Sequence, residues 1–260
     1  MKSEIKNSLD KLNCALDLNR KVVGIKFLYT KEEFDSYKAT AIEGKINYCV
    51  MVKSATLGHS IKATGANLAC AGGARALGFE PIDTVNNNGE NWLRLGLYKD
   101  AETAKGVREK IVYCTEKPYG ILIQPLESFE DNPHVILIVT NPYNAMRIVQ
   151  GYSYEYGVNI NTSMVGNQAI CSECTSRPYM LKEMNVSLLC IGTRHKAGWK
   201  DEEMSLGIPI EQFSTIVKGV FNTINIMDNN EKKKIIEDKL KAKGIEDIKI
   251  EYNSNYYQRA

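Results

Sequence analysis

Apolar positions along the chain follow two periods, one helical and one extended, and their alternation sets out most of the elements. Ile5, Leu9, Leu12, Ala15 and Leu16 share one face at helical spacing, predicting an opening helix over residues 4–18. Val22 to Tyr29 is a β-rich run that predicts a strand buried on both faces. Thr30 with Glu33 three residues on has the form of a capping box, so a short helix should follow. A further helix is expected over 46–57, and the GGARALG stretch should open another at or just after Cys70. Asn86 to Gly89 reads as a turn, and Asp100 as the cap of a polar helix reaching Lys110.

Gly120–Gln124 and His134–Thr140 read as two strands. Asn141 followed by Pro142 is the order of a helix cap and first turn, with Ala145, Met146, Ile148 and Val149 as the buried face. Gly157–Asn161 is expected to be extended, Gln168–Arg177 helical until Pro178 interrupts it, and Asn185–Ile191 a strand that runs into a loop over 192–198. Pro209 should start a helix carrying Ile210, Phe213, Ile216, Val217 and Val220. Strands alternating with helices predict an α/β or α+β fold, a single mixed-sheet sandwich over residues 1–227. Residues 228–260 read as a charged C-terminal appendage, a helix ended by Gly244 and then an edge strand over Ile245–Tyr252.

Charge narrows the classes of partner. Lys and Arg total 33 against 31 Asp and Glu, and the net charge of +2 gives no field to draw nucleic acid or an anionic membrane. The opening residues carry charge throughout and have no signal-like apolar core, and the aliphatic run Val135–Val139 is far too short to span a bilayer. A cytoplasmic protein is expected. Its partner would be a small molecule or a metal ion, with self-association left open. Seven cysteines, an odd number, in a 260-residue chain able to bury its own core favour reduced thiols over disulfides.

Three segments are candidates for chemistry. Cys171 and Cys174 form a CxxC in a predicted helix, where both sulfurs could reach one metal, although no second pair completes a zinc ribbon. Cys70 stands at a predicted helix start, where free N–H groups favour a thiolate. Gly72 and Gly73 beside it would let a ligand approach the backbone, or would serve close helix packing. Cys190, Gly192, Arg194 and His195 follow a predicted strand and would reach the sheet edge where α/β proteins bind ligands. With three histidines in all, His59, His134 and His195, a histidine-rich site is not expected, and His134 should be structural. Cys14 and Cys114 rank lowest as ligands, and Cys49 could equally be core.

Taken in order, Lys21–Phe27, Cys70–Gly78, Asn141-Pro142 through Arg147, Cys171-Ser172-Glu173, Ser187–Arg194 and Gly207-Ile208-Pro209 resemble the motifs of domain-of-unknown-function family 169. That family is uncharacterised and is associated largely with archaea and anaerobic bacteria. The resemblance covers about residues 20–218 and departs at Ala71, where a proline is expected, and in the charged tail. It marks Cys49, Cys70, Cys171 and Cys190 as the family-type cysteines, with Glu173 and Arg194 beside them, and makes Cys174 an addition.

Three functions follow as expectations. In the first, Cys49, Cys70, Cys171 and Cys190 ligate zinc or an iron-sulfur cluster, with Gly72, Gly73 and Gly192 lining a cofactor site. In the second, a metal-free thiolate at Cys70 or Cys171 attacks an anionic substrate held by Arg194, with Glu173 or His195 carrying the proton. The third is non-catalytic binding of a small molecule or tetrapyrrole, with Tyr152, Tyr154 and Tyr156 as walls.

Overall fold

The structure, a computed structural model, describes residues 2–82 and 88–252. Its strands are β1 (Val23–Leu28), β2 (Thr40–Ala41), β3 (Ile61–Thr64), β4 (Gly120–Pro125), β5 (Val135–Thr140), β6 (Asn185–Ser187) and β7 (Met204–Pro209). They form one mixed sheet in the order β2-β3-β4-β1-β5-β7-β6. The short outer pair β2 and β3 is parallel, and the other neighbours are antiparallel. β1 takes the middle because its apolar run can be covered on both faces, and Ile25 pairs with Ile123 on one side and Val135 on the other.

Eleven α-helices are present among the described residues. They are α1 (Lys2–Ala15), α2 (Lys31–Ser36), α3 (Tyr48–Thr56), α4 (Ala71–Ala76), α5 (Glu90–Arg94), α6 (Ala101–Lys110), α7 (Pro142–Tyr156), α8 (Arg177–Leu181), α9 (Ile191–Ala197), α10 (Ile210–Met227) and α11 (Asn230–Ala242). A π-helix, Ala169–Ser176, runs directly into α8. No helix among the described residues is long and apolar enough to cross a membrane.

Strand alternation divides the core in two. Ile136 and Ile138 of β5 face α1, α7, α10 and α11, whereas Val135, Leu137 and Val139 face α3, α4 and the π-helix. Each fully buried aliphatic or aromatic side chain in these layers contributes about 1.5–3 kcal/mol, so this α/β sandwich is held from both faces. The second face carries the cysteines discussed below.

Local chemistry explains the helix starts. Thr30 Oγ1 accepts from the Glu33 N–H while the Glu33 carboxylate accepts from the Thr30 N–H, completing the expected capping box. Asp100 and Asn141 cap α6 and α7 as expected. Of the predicted turn, Asn86 and Asn87 lie outside the described residues, and Gly89 sits at φ +76° as the cap of α5.

Several expectations are corrected. Within Gln168–Arg177, residues Ala169–Ser176 are wound as a π-helix: the Glu173 N–H donates to the Gln168 carbonyl and the Thr175 hydroxyl to the Ile170 carbonyl, each five residues back. Pro178 does not interrupt the helical run but sits in the first turn of α8, and the Glu173 carbonyl five residues before it accepts from the Asn185 side chain at 2.9 Å instead. The strand after Asn185 stops at Ser187 because Leu189 turns into the left-handed region at φ +66°, and Ile191–Ala197 forms α9 where a loop was expected. Gly198, read as a loop residue, is the left-handed C-cap of that helix. Gly157–Asn161 is irregular and turns at its end. β7 was not foreseen, since Gly207 and Pro209 look like breakers in a strand that is buried almost throughout. Residues 245–252 form no strand. They lie over α10 and α11, where Asn225 and Lys233 side chains satisfy the Lys249 and Glu251 backbone and Ile250 is buried with the first-face core.

Helices α7 and α10 cross backbone to backbone. A Cβ on Gly219 would lie 2.1 Å from the Gly151 carbonyl oxygen, and one on Gly151 would lie 2.6 Å from Val220 Cγ2. Gly219→Ala should therefore lower stability by about 1–3 kcal/mol or more, read as a lower urea midpoint, whereas Gly106→Ala on the open face of α6 should not.

Candidate functional site

Four of the seven cysteines stand at or just inside a helix start. Cys49 is the second residue of α3, Cys70 and Cys190 are the N-caps of α4 and α9, and Cys171 is the third residue of the π-helix. All four line one cavity of about 220 Å³ on the second face of the sheet. Helix starts place backbone N–H groups around their thiols: the Cys190 sulfur accepts from the Thr193 N–H at 3.3 Å.

The glycines act at close range. Gly73 lines the cavity, and a Cβ there would touch Cys70 and Cys171 Cβ at 3.8 and 3.9 Å. Gly192 also lines it, and a Cβ would stand 3.9 Å from the Cys190 sulfur. Gly72 acts through its carbonyl, which accepts from the Gln168 side chain at 2.8 Å and leaves no free space for a Cβ, the same amide nitrogen lying 2.9 Å away. Gln168 itself sits in the left-handed region at φ +53° and receives bonds from Arg108 and Tyr113, so it locks the start of the π-helix to α4.

Burial governs the thiols. It pushes Cys171 well above the ordinary thiol value, and the neighbouring Cys70, Cys190 and Cys49 sulfurs push the same way. Burial also raises Cys49, opposed by the Thr193 hydroxyl and reinforced by Cys190 and Cys70. Cys171 and Cys49 therefore both feel the other sulfurs around the cavity. Their spacing is open, however: among the described residues no three His, Cys, Asp or Glu side chains form a group that could hold a metal ion.

Other predicted residues lie elsewhere. Cys174 points away from the cavity into the core, with its sulfur 3.1 Å from the Ser205 hydroxyl, because π winding does not keep residues three apart on one face. Cys14 and Cys114 are core residues, and all seven cysteines are free thiols. Glu173 is 4 % exposed and does not line the cavity. Its carboxylate accepts from the Val165 and Gly166 N–H groups and from the Ser187 hydroxyl, which in turn accepts from the Leu189 N–H at 3.1 Å. Arg194 spends its guanidinium on the Leu188, Lys200 and Glu203 carbonyls. Both side chains satisfy irregular backbone and so position the cysteines rather than meet a substrate. His195 and His59 are exposed and away from the cavity, and His134 accepts from the Phe27 N–H through Nδ1, with burial lowering it to about 4. Tyr152 is buried against α10, while Tyr154 and Tyr156 are exposed on α7, so the three tyrosines form no wall. The polar wall of the cavity, Asn47, Thr193 and Lys196, was not anticipated. The spacing of Gly192, Thr193 and Lys196 along one helix face would have indicated it had residues 192–198 been read as helical.

Fold and site together define an α/β protein with a thiol-lined cavity beside its central sheet. The family model for domain-of-unknown-function family 169, described as uncharacterised ArCR, matches residues 11–219, and the chain belongs to that family. An uncharacterised protein of Methanocaldococcus jannaschii is 31% identical over 224 residues, covering 84% of this chain and 94% of the relative. No solved structure matches the chain.

Two outcomes follow. Glu173→Gln should cost about 1–3 kcal/mol, measured by urea unfolding, because three donors lose a charged acceptor. Burial also raises Cys114, from 9.0 to about 12. The unfolded chain therefore releases this proton first as the pH rises, and the stability present below about 9 is lost towards about 12. Urea midpoints should fall across that range, and less steeply in Cys114→Ala.

Proposed function

We propose that Cys49, Cys70, Cys171 and Cys190 hold an iron-sulfur cluster of the four-iron type. The observation that carries this reading is the arrival of four thiols, from four separate helix starts, on one cavity of about 220 Å³. Size discriminates between the metals. Four thiolates about 2.3 Å from a zinc ion stand about 3.8 Å from one another and close over it, leaving no void. The present cavity, at about 220 Å³, leaves open space between the thiols. A tetrapyrrole is poorly served, since drug-sized ligands already need about 300 Å³ or more.

When bound, such a cluster supplies one-electron transfer. The chain's own residues would ligate it, donate N–H groups to its sulfurs, as Thr193 already does to Cys190, and keep water off it with Tyr48 and Ile170. Cytoplasmic reducing conditions suit this reading, because thiols stay available there. The metal-free nucleophile is less well supported: burial keeps the Cys171 thiol protonated, and Arg194 and Glu173 are engaged with backbone.

Anaerobic reconstitution tests the reading. About four iron and four sulfide per chain should be incorporated, with broad visible absorbance, and Cys171→Ser or Cys49→Ser should lose most of both while Cys174→Ser keeps them. Loading should strengthen as the pH rises, since raised thiols must release protons to bind. A colourless, iron-free product with seven titratable thiols overturns it.

A further inference from the structure

One wall of the cavity is polar and unspent. Asn47 is the N-cap of α3, a position where an asparagine side chain normally bonds the helix, yet its amide makes no capping bond and lines the cavity. Thr193 is 4 % exposed, and its hydroxyl, beside the Cys49 thiol, has no hydrogen-bond partner of ordinary geometry. Lys196, one helical turn on from Thr193, completes the wall and enters no ion pair among the described residues. A hydroxyl whose one neighbour is a thiol, a weak hydrogen-bonding group, keeps capacity to bond a ligand in the cavity.

We infer that this wall recognises the carboxylate of a small organic acid and presents the rest of that molecule to the thiols. Each group has its part. Lys196 supplies the charge, and the Asn47 amide and Thr193 hydroxyl donate to the oxygens. The remainder of the cavity is apolar, lined by Ile170, Ala169 and the Tyr48 ring, and favours a short hydrocarbon portion over a second charge. Asp and Glu are absent from the lining, so no carboxylate of the protein competes for Lys196 there. This assignment concerns the cavity without a cluster, since the same space and the same thiols cannot serve both at once, and it does not rest on the cluster reading.

The test uses a reactive acid. The full chain, freed of metal by a chelator under reductant, is treated with iodoacetate and separately with its neutral counterpart iodoacetamide, and each cysteine is followed by mass spectrometry. In both reactions the thiolate sulfur bonds the methylene carbon as iodide leaves, so the reagents differ in carboxylate against amide. For Cys49, Cys70 and Cys190 the ratio of iodoacetate to iodoacetamide rates should be about tenfold higher in the folded than in the urea-unfolded chain, a selectivity of the size that one charge-assisted contact provides. Lys196→Gln, at an exposed position, should return the ratio to the unfolded value, and Lys200→Gln on the following loop should leave it high. A folded ratio equal to the unfolded one, a ratio unmoved by Lys196→Gln, or one lowered as far by Lys200→Gln overturns the assignment. Iron incorporation is read separately, so failure here is distinct from failure of the cluster reading.

Discussion

The contact on which the site depends is the seating of the π-helix on β7. A Cβ on Gly207 would fall 2.2 Å from the Cys174 carbonyl oxygen, so backbone lies on backbone and only glycine permits it. From that seat the π-helix fastens the other cysteine-bearing elements. Thr175 meets the Tyr48 hydroxyl of α3 at 2.8 Å, Ser176 donates to the Ala76 carbonyl of α4 at 2.6 Å, and Glu173 reaches Ser187, which sets Leu189 before Cys190. Three side chains within four residues thus fix three walls of one cavity. A displacement of the π-helix would move all four sulfurs relative to one another.

π winding is what makes this economical. A regular helix would turn Cys171 and Cys174 toward the same side and leave fewer free carbonyls for hydroxyl groups to bind. With i to i+5 winding, Cys171 faces the cavity, Cys174 faces Ser205, and Thr175 and Ser176 meet both the loosened carbonyls and the neighbouring helices. All the side chains involved are buried or half-buried, where unsatisfied backbone groups are costly. The density of Ser, Thr, Asn and Glu around the site therefore has a structural reason before any catalytic one.

That density also explains which parts were legible in the sequence. The central strands and amphipathic helices depend on periodicity, and Ile25, Leu137, Ile148 and Phe213 occupy the core that their spacing implies. The four cysteines were legible through the family resemblance, although the helix that opens at Cys190 was not, because its segment has the pattern of a strand followed by a loop. Glu173 and Arg194 were assigned chemistry because they sit beside cysteines, whereas their partners are carbonyls and N–H groups of loops whose irregular course no local pattern reveals. Gly207 and Pro209 concealed β7 for a related reason: the glycine that looks like a breaker is required by a helix that packs there from elsewhere in the chain.

Two opposing effects act on the thiols, and their sizes decide the resting state of the cavity. A helix start favours a negative sulfur by about 0.3–1 kcal/mol. Burial shifts a thiol by up to 3–5 units at about 1.36 kcal/mol each, and at Cys171 burial comes first, with three neighbouring thiols adding to it. At Cys171 and Cys49 the protonated thiol is therefore the resting form in the absence of metal, even though both stand near helix starts. A bound cationic centre would reverse the balance, since it repays the desolvation of each thiolate while the same N–H groups go on favouring sulfur charge. The cavity is poorly arranged to keep Cys171 ionised as a bare nucleophile and well arranged to gather several thiolates once something positive binds them together.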